Sequence, residues 1–250
     1  MHRGIAVAAA VIVLYAPGSG VLASGGPQIT DIAGDANGLP VSQDTRPASY
    51  DPADILAVTM STDYVAVPVG GDGIDYQERA LLIRFDTLGS PVPDAGTLAF
   101  GVGADLGACQ SSFGGYVSGP IGNTGDGTGG TVRWVQFGEC PDLEPDEFSV
   151  LGFGTAVDHP QWTATADPAA RTVTLRIPFA SLTEGQAAFL RPGARIASPS
   201  AQSWMSRSVY VVSDAGARAA LAFFDATDTG SDFTIGEDVP PDVPCTQGCP

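Results

Sequence analysis

RTVTLRIPF, from Arg171 to Phe179, sets Val173, Leu175 and Ile177 on one side of an extended chain and Thr172, Thr174 and Arg176 on the other. A period of two marks a strand with one buried face. ERALLIRFD (Glu78–Asp86) repeats the pattern: Leu81, Ile83 and Phe85 share a face, while Arg84 and Asp86 point away. Arg84 and Arg176 are expected to pair with neighbouring acids. In TLAFGV (Thr97–Val102) the aligned residues are Leu98, Phe100 and Val102; in DILAVTMS (Asp54–Ser61) they are Leu56, Val58 and Met60. Weaker runs cover Thr131–Phe137, Phe148–Val157, Ser208–Val212 and Ala219–Phe224, with short segments near Ile29 and Ile196. Together they predict about ten strands, the number of a two-sheet sandwich. Only Phe179–Phe189 offers a helical turn or two. The expected class is therefore all-β, an antiparallel β-sandwich of jelly-roll or immunoglobulin-like type.

Composition supports this. The chain has 250 residues with 32 Gly and 20 Pro, 44% apolar and 16% charged. That rules out a coiled coil or a disordered chain and suits one β-rich domain. GGDGIDYQ (Gly70–Gln77) and GNTGDGTGG (Gly122–Gly130) read as hairpin connections, and Asp167-Pro168 marks another turn. One domain is expected over residues 24–236, followed by a polar, loosely held tail over 237–250. The net charge of −17 repels nucleic acid and anionic lipid and favours cations.

The start of the chain reads as an export signal. Arg3 precedes an apolar run from Ile5 to Tyr15, and Val21-Leu22-Ala23 offers the small or apolar residues that a signal peptidase accepts. The run is too short for a membrane span, which needs roughly 20 residues. A signal peptide over 1–23, cleavage before Ser24, and a secreted, extracellular product without a membrane segment are expected. Cys109, Cys140, Cys245 and Cys249 are even in number, which in an oxidising compartment reads as disulfides. Three pairings are open. Cys109–Cys140 with Cys245–Cys249 is favoured, because each pair flanks a local Gly- or Pro-rich loop. Zinc is disfavoured, since the part beyond the signal holds only His159.

TDIAGDANG (Thr30–Gly38) and SYDPADILAVTMSTDY (Ser49–Tyr64) are followed by TVTLRIPFASL (Thr172–Leu182), RPGARI (Arg191–Ile196) and DATDTGSDFTIG (Asp225–Gly236). In that order they resemble a family of bacterial secreted β-sandwich domains similar to the DOMON and family 9 carbohydrate-binding-module superfamily. The resemblance implies a sandwich that serves as an accessory or binding module. Sugars, calcium or haem are ligands of such domains. No relative's ligand motif is copied here, so the likeness speaks to fold more than to function.

Calcium is the sharpest chemical expectation. Asp31, Asp35 and Asn37 share one tight loop before Gly38, and Asp51 and Asp54 precede the first strong strand. Calcium takes six to eight hard oxygens, and a glycine-bearing loop can wrap them around the ion. The spacing is not that of an EF-hand: Ala33 would stand at its first position, and no bidentate Glu follows at the right place. The competing role is that of Asx-turn formers and strand caps. A second set, Asp225, Asp228 and Asp232, forms another site or joins the first in space.

Sugar binding would need exposed rings. Trp162 and Trp204 stand in irregular polar stretches and are the expected platform, with Tyr116 and Tyr210 as further candidates; Trp134 in TVRWVQF reads as core. Haem would need His159 with Met60 or Met205, but Met60 faces the core and His159 stands in a turn-like VDHPQW. A hydrolase is the enzymatic alternative, through a carboxylate pair or His159. No Gly-x-Ser-x-Gly surrounds a serine, and the chain has no Lys. The reading that results is a non-catalytic binding or accessory module with a structural calcium. Its alternative is a carbohydrate-binding module for an extracellular glycan or a cell-envelope component.

Overall fold

The computed structural model describes residues 26–36, 51–71, 73–92, 97–107, 109–118, 129–136, 157–182, 187, 189–207 and 220–241. Among the described residues, eleven strands pair antiparallel throughout. One layer runs β1 (Ile29–Thr30), β2 (Ile55–Val69), β3 (Gly73–Thr87), β8 (Thr172–Pro178) and β7 (Val157–Asp167). The second runs β6 (Gly129–Gln136), β5 (Cys109–Ser118), β4 (Thr97–Leu106), β9 (Arg195–Arg207) and β10 (Ala220–Ala226). The two five-strand layers form a β-sandwich, as the alternation predicts. They are one hydrogen-bonded ribbon doubled over, with β6 and β7 paired at the fold. β11 (Phe233–Thr234) adds to the start of β9.

The residues that predicted the strands build the core. Leu81, Ile83 and Phe85 on β3 lie beside Ile177, Leu175 and Val173 on β8, all fully buried. From the other layer come Leu98, Phe100 and Val102 on β4. Phe85 and Phe100 meet across the interface with ring centroids 5.5 Å apart. On the outer face Arg84 pairs with Asp86 at 3.1 Å and Arg176 with Asp63 at 2.9 Å, as expected. Asp167 forms its turn by accepting from the amides of Ala169 and Ala170.

Three expectations change. Leu56 does not join the core: a bulge between Ile55 and Ala57 shifts the alternation, so Ile55 is buried with Val58 and Met60. β5 and β7 are strands where no strand was expected. The β5 stretch is rich in Gly and Ser, and β7 contains Pro160 and has Ala164 and Ala166 as its small inward residues. The tail is held at its start: the Gly236 amide donates to Thr62 Oγ1, and Asp238 Oδ2 accepts from the Thr62 amide. The expected strands Phe148–Val157 and Ser208–Val212 lie outside the described residues, Val157 excepted. So do residues 1–23, read as an export signal, and residues 122–128 of the expected hairpin connection. Among the described residues, no helix is long and apolar enough to cross a membrane.

The long edges of the doubled ribbon are stitched together. Gly230 donates to the carbonyl of Pro199 on β9, and Ser231 donates to that of Gln28 beside β1. Ser203 of β9 donates its hydroxyl to the carbonyl of Ala53, just before β2. This seam carries the acidic residues.

Candidate metal centre

Asp31 leaves β1, Asp54 leads into β2, and Asp225 lies near the end of β10. A bulge between Phe223 and Asp225 breaks the alternation of β10 where it reaches the seam. Such irregularities re-aim a side chain at a sheet edge. Asp225 is only 6% exposed; its Oδ2 accepts from the Ile55 amide at 2.6 Å, and its Oδ1 from the Ala226 amide at 2.9 Å. The second layer thus bonds through a carboxylate to the first residue of β2. Asp54 is fully buried, and its Oδ2 holds the Asp31–Ala36 loop by accepting from the Gly34 amide at 2.7 Å. Gly34 has φ of 88°, which suits glycine at this turn.

The carboxylates of Asp31, Asp35 and Asp225 converge, with one oxygen from each inside a group no more than 4.8 Å across. Asp31 Oδ2 and Asp54 Oδ1 are buried atoms with no hydrogen-bond donor among the described residues. Burial pushes the Asp225 carboxyl up to about 6, with the charges of Asp31, Asp35 and Asp54 adding to the rise against the Ile55 hydrogen bond. Asp31 and Asp54 are raised as well, mainly by burial. Hard oxygens at this spacing, repelling one another and with a buried Asp31 oxygen short of a donor, suit a hard divalent cation.

The sequence candidates divide around this point. Asp31 and Asp35 belong to the group, and Asp54 supports the loop that presents them. Asn37 lies outside the described residues. The Asp51 main chain fixes the entry to β2, its carbonyl accepting from the amides of Asp54 and Gly89. From the second acidic set, Asp225 joins the first in space. Asp228 acts on Asp31 through its charge. Asp232 is engaged elsewhere: it accepts from the Ser198 amide and pairs with Arg195, and these contacts hold its carboxyl below the usual range.

Trp162 is corrected as a sugar platform. It sits on β7, 2% exposed, with its indole N–H donating to Ser181 Oγ at 2.8 Å. The stretch that read as irregular is a strand, and its parity turns this ring inward beside Ala164 and Ala166. Trp204 also lies on a strand, β9, opposite Ala99 of β4. His159 lies on β7 rather than in a turn, and Met60 is buried as expected. Cys109 opens β5, and Cys140, Cys245 and Cys249 lie outside the described residues.

No family model matches the chain, and neither a curated protein nor a solved structure matches it significantly.

Proposed function

We propose that the protein is a secreted, non-catalytic binding or accessory domain whose seam holds one structural calcium ion. The observation that carries this is the meeting of Asp31, Asp35 and Asp225 within 4.8 Å. These carboxylates arrive from opposite ends of the sequence at the joint between the two layers. Calcium would take their oxygens, with backbone carbonyls and water completing its usual six to eight. It would replace mutual repulsion with a shared counter-charge and so fasten the N-terminal loop to β10. The export reading of residues 1–23 fits this role, since extracellular fluid supplies the ion.

Thermal melts of the purified protein in excess calcium and in chelator test it. One-site linkage gives about 2.7 kcal/mol of added stability when free calcium stands a hundredfold above its dissociation constant. The midpoint should rise in calcium, and Asp35→Asn should remove most of that rise; in chelator the variant should melt no lower than the parent, because one of the repelling charges is gone. Superimposable melts of the parent protein in the two media would reduce the acids to turn formers.

A further inference from the structure

β2 and β3 run on past the sandwich. Among the described residues, β8 pairs with β3 only from Ala80 to Asp86, and β1 pairs with β2 only at Ala57 and Val58. Beyond that, Tyr64–Val69 and Gly73–Glu78 pair with each other and with no further described strand, as a two-stranded arm. A bulge separates the arm from the sheet: Asp63 faces Ala80 and Tyr64 faces Glu78, so Arg79 is an extra residue on β3. Bulges bend and twist a ribbon locally. Past it, Tyr64 and Tyr76 meet edge to face with centroids 5.4 Å apart, and Ala66 to Val69 are exposed. A lone two-stranded ribbon is marginal in water, so the arm depends on what holds its base.

The base is gripped from two sides. On the β3 side, the turn Phe179–Ser181 packs against the strand. On the β2 side the grip comes from the last described residues of the chain. β11 pairs with β9 of the second layer, and Ile235 stays there, its amide donating to the Ala194 carbonyl and its carbonyl accepting from the Gly193 amide. The chain then crosses to the first layer. The Gly236 amide donates to Thr62 Oγ1 at 2.8 Å, and Asp238 Oδ2 accepts from the Thr62 amide at 2.7 Å. Gly236, with φ of 89°, lies against the arm's Glu78: a Cβ there would stand 3.4 Å from Glu78 Oε1. Thr62 is only 4% exposed, so Asp238 does for its amide what a neighbouring strand would. This cap is incomplete. Asp238 Oδ1 is buried and meets no donor among the described residues, which offsets part of what the Thr62 bond contributes.

We propose that Gly236–Asp238 is a clasp and the arm a hinged element that it governs. With Asp238 on Thr62, the arm continues the first layer. When the clasp lets go, the buried Thr62 amide loses its acceptor and has to reach water, so the ribbon opens at the bulge while the sandwich behind it stays closed. A displacement of the tail is thereby felt along the whole arm. The device is independent of the calcium reading, since Asp225 bonds to Ile55 at the far end of β2.

Amide hydrogen exchange of the full chain, in chelator, tests it. In the parent, Thr62 and the paired amides of the arm should be protected, though less than those of β4 and β8. Asp238→Ala should speed exchange at Thr62 and across Tyr64–Glu78 about tenfold or more, leaving β4 and β8 as they were. Asp238→Asn keeps an acceptor oxygen and removes the charge, so its arm should stay near the parent's protection. A parent arm that exchanges as freely as an unfolded chain overturns the proposal, and so does an arm unmoved by Asp238→Ala. A rise shared equally by β4 and β8 overturns it too, because the contact would then serve the stability of the whole sandwich. If Asp238→Asn is as open as Asp238→Ala, the hydrogen bond to Thr62 is not the clasp, and the proposal falls.

Discussion

Asp225 is the residue on which the seam turns, and its ionisation sets a pH dependence opposite to that of a salt-bridged aspartate. Its carboxyl rises from 3.8 to about 6 on folding, chiefly through burial. The folded protein therefore binds more protons than the unfolded chain between those values. In chelator, its contribution is fully present below about pH 4 and is lost as pH rises toward and past 6. The loss amounts to about 3 kcal/mol. Urea melts in chelator from pH 4 to 7 should show this fall, and Asp225→Asn should flatten it. A held cation keeps the carboxylate ionised, so calcium should reverse the slope. Aspartates could be read from the sequence as candidates, and a joining of the two acidic sets was one of two readings it left open, but which acid would make the joint could not be read. Asp225 stands 194 positions from Asp31 in the chain, and a bulge governs where it points, so neither spacing nor alternation places it. Trp162 shows the converse. Its ring was visible in the sequence, yet Pro160 and two small alanines hid the strand that buries it.

At the level of elements, the legible strands were those with large aliphatic residues on one face. β8 and the Leu81–Phe85 part of β3 follow their alternation to the residue, because each inward position is a Leu, Ile, Val or Phe whose burial fixes the register. Gly73–Gln77, read as part of a hairpin connection, belongs to β3 instead, beyond a bulge at Arg79. β5 is held differently: a Cβ at its Gly114 would stand 2.6 Å from the Phe100 carbonyl oxygen, so its backbone lies tight against β4. A strand defined by closeness to its neighbours leaves no hydrophobic period to read. The seam depends on the same device at Gly230, where a Cβ would meet the Gln28 carbonyl oxygen and lie 2.6 Å from Ile29 Cγ1. Gly230→Ala must push β1 away from the last strands. It should cost about 1–3 kcal/mol in chemical denaturation, the range of an overpacked site. A neutral result would show that the seam gives way without loss.

For the whole molecule, the fold class was legible because the apolar periods recur over most of the chain, whereas the strand order was not. The order nests one meander, β4 to β8, inside the two outer hairpins, β2–β3 and β9–β10. Alternation records which face is buried, not which strand lies beside which. The nesting also sets a time order. Neighbours within the meander lie close in sequence, but the bonds that close the ribbon join residues 150, 170 and 203 positions apart: Ser203 to Ala53, Ile55 to Asp225, and Ser231 to Gln28. Contacts of such separation carry the largest entropy of closure and form late. An ion that binds only the closed seam therefore arrives after the rate-limiting step of folding. Calcium should lengthen the lifetime of the native state by slowing unfolding and leave the refolding rate nearly unchanged, which stopped-flow chevrons in the two media would show. A domain that calcium fastened in this way would resist opening more strongly as the surrounding calcium rose, and so would last longest where that ion is plentiful.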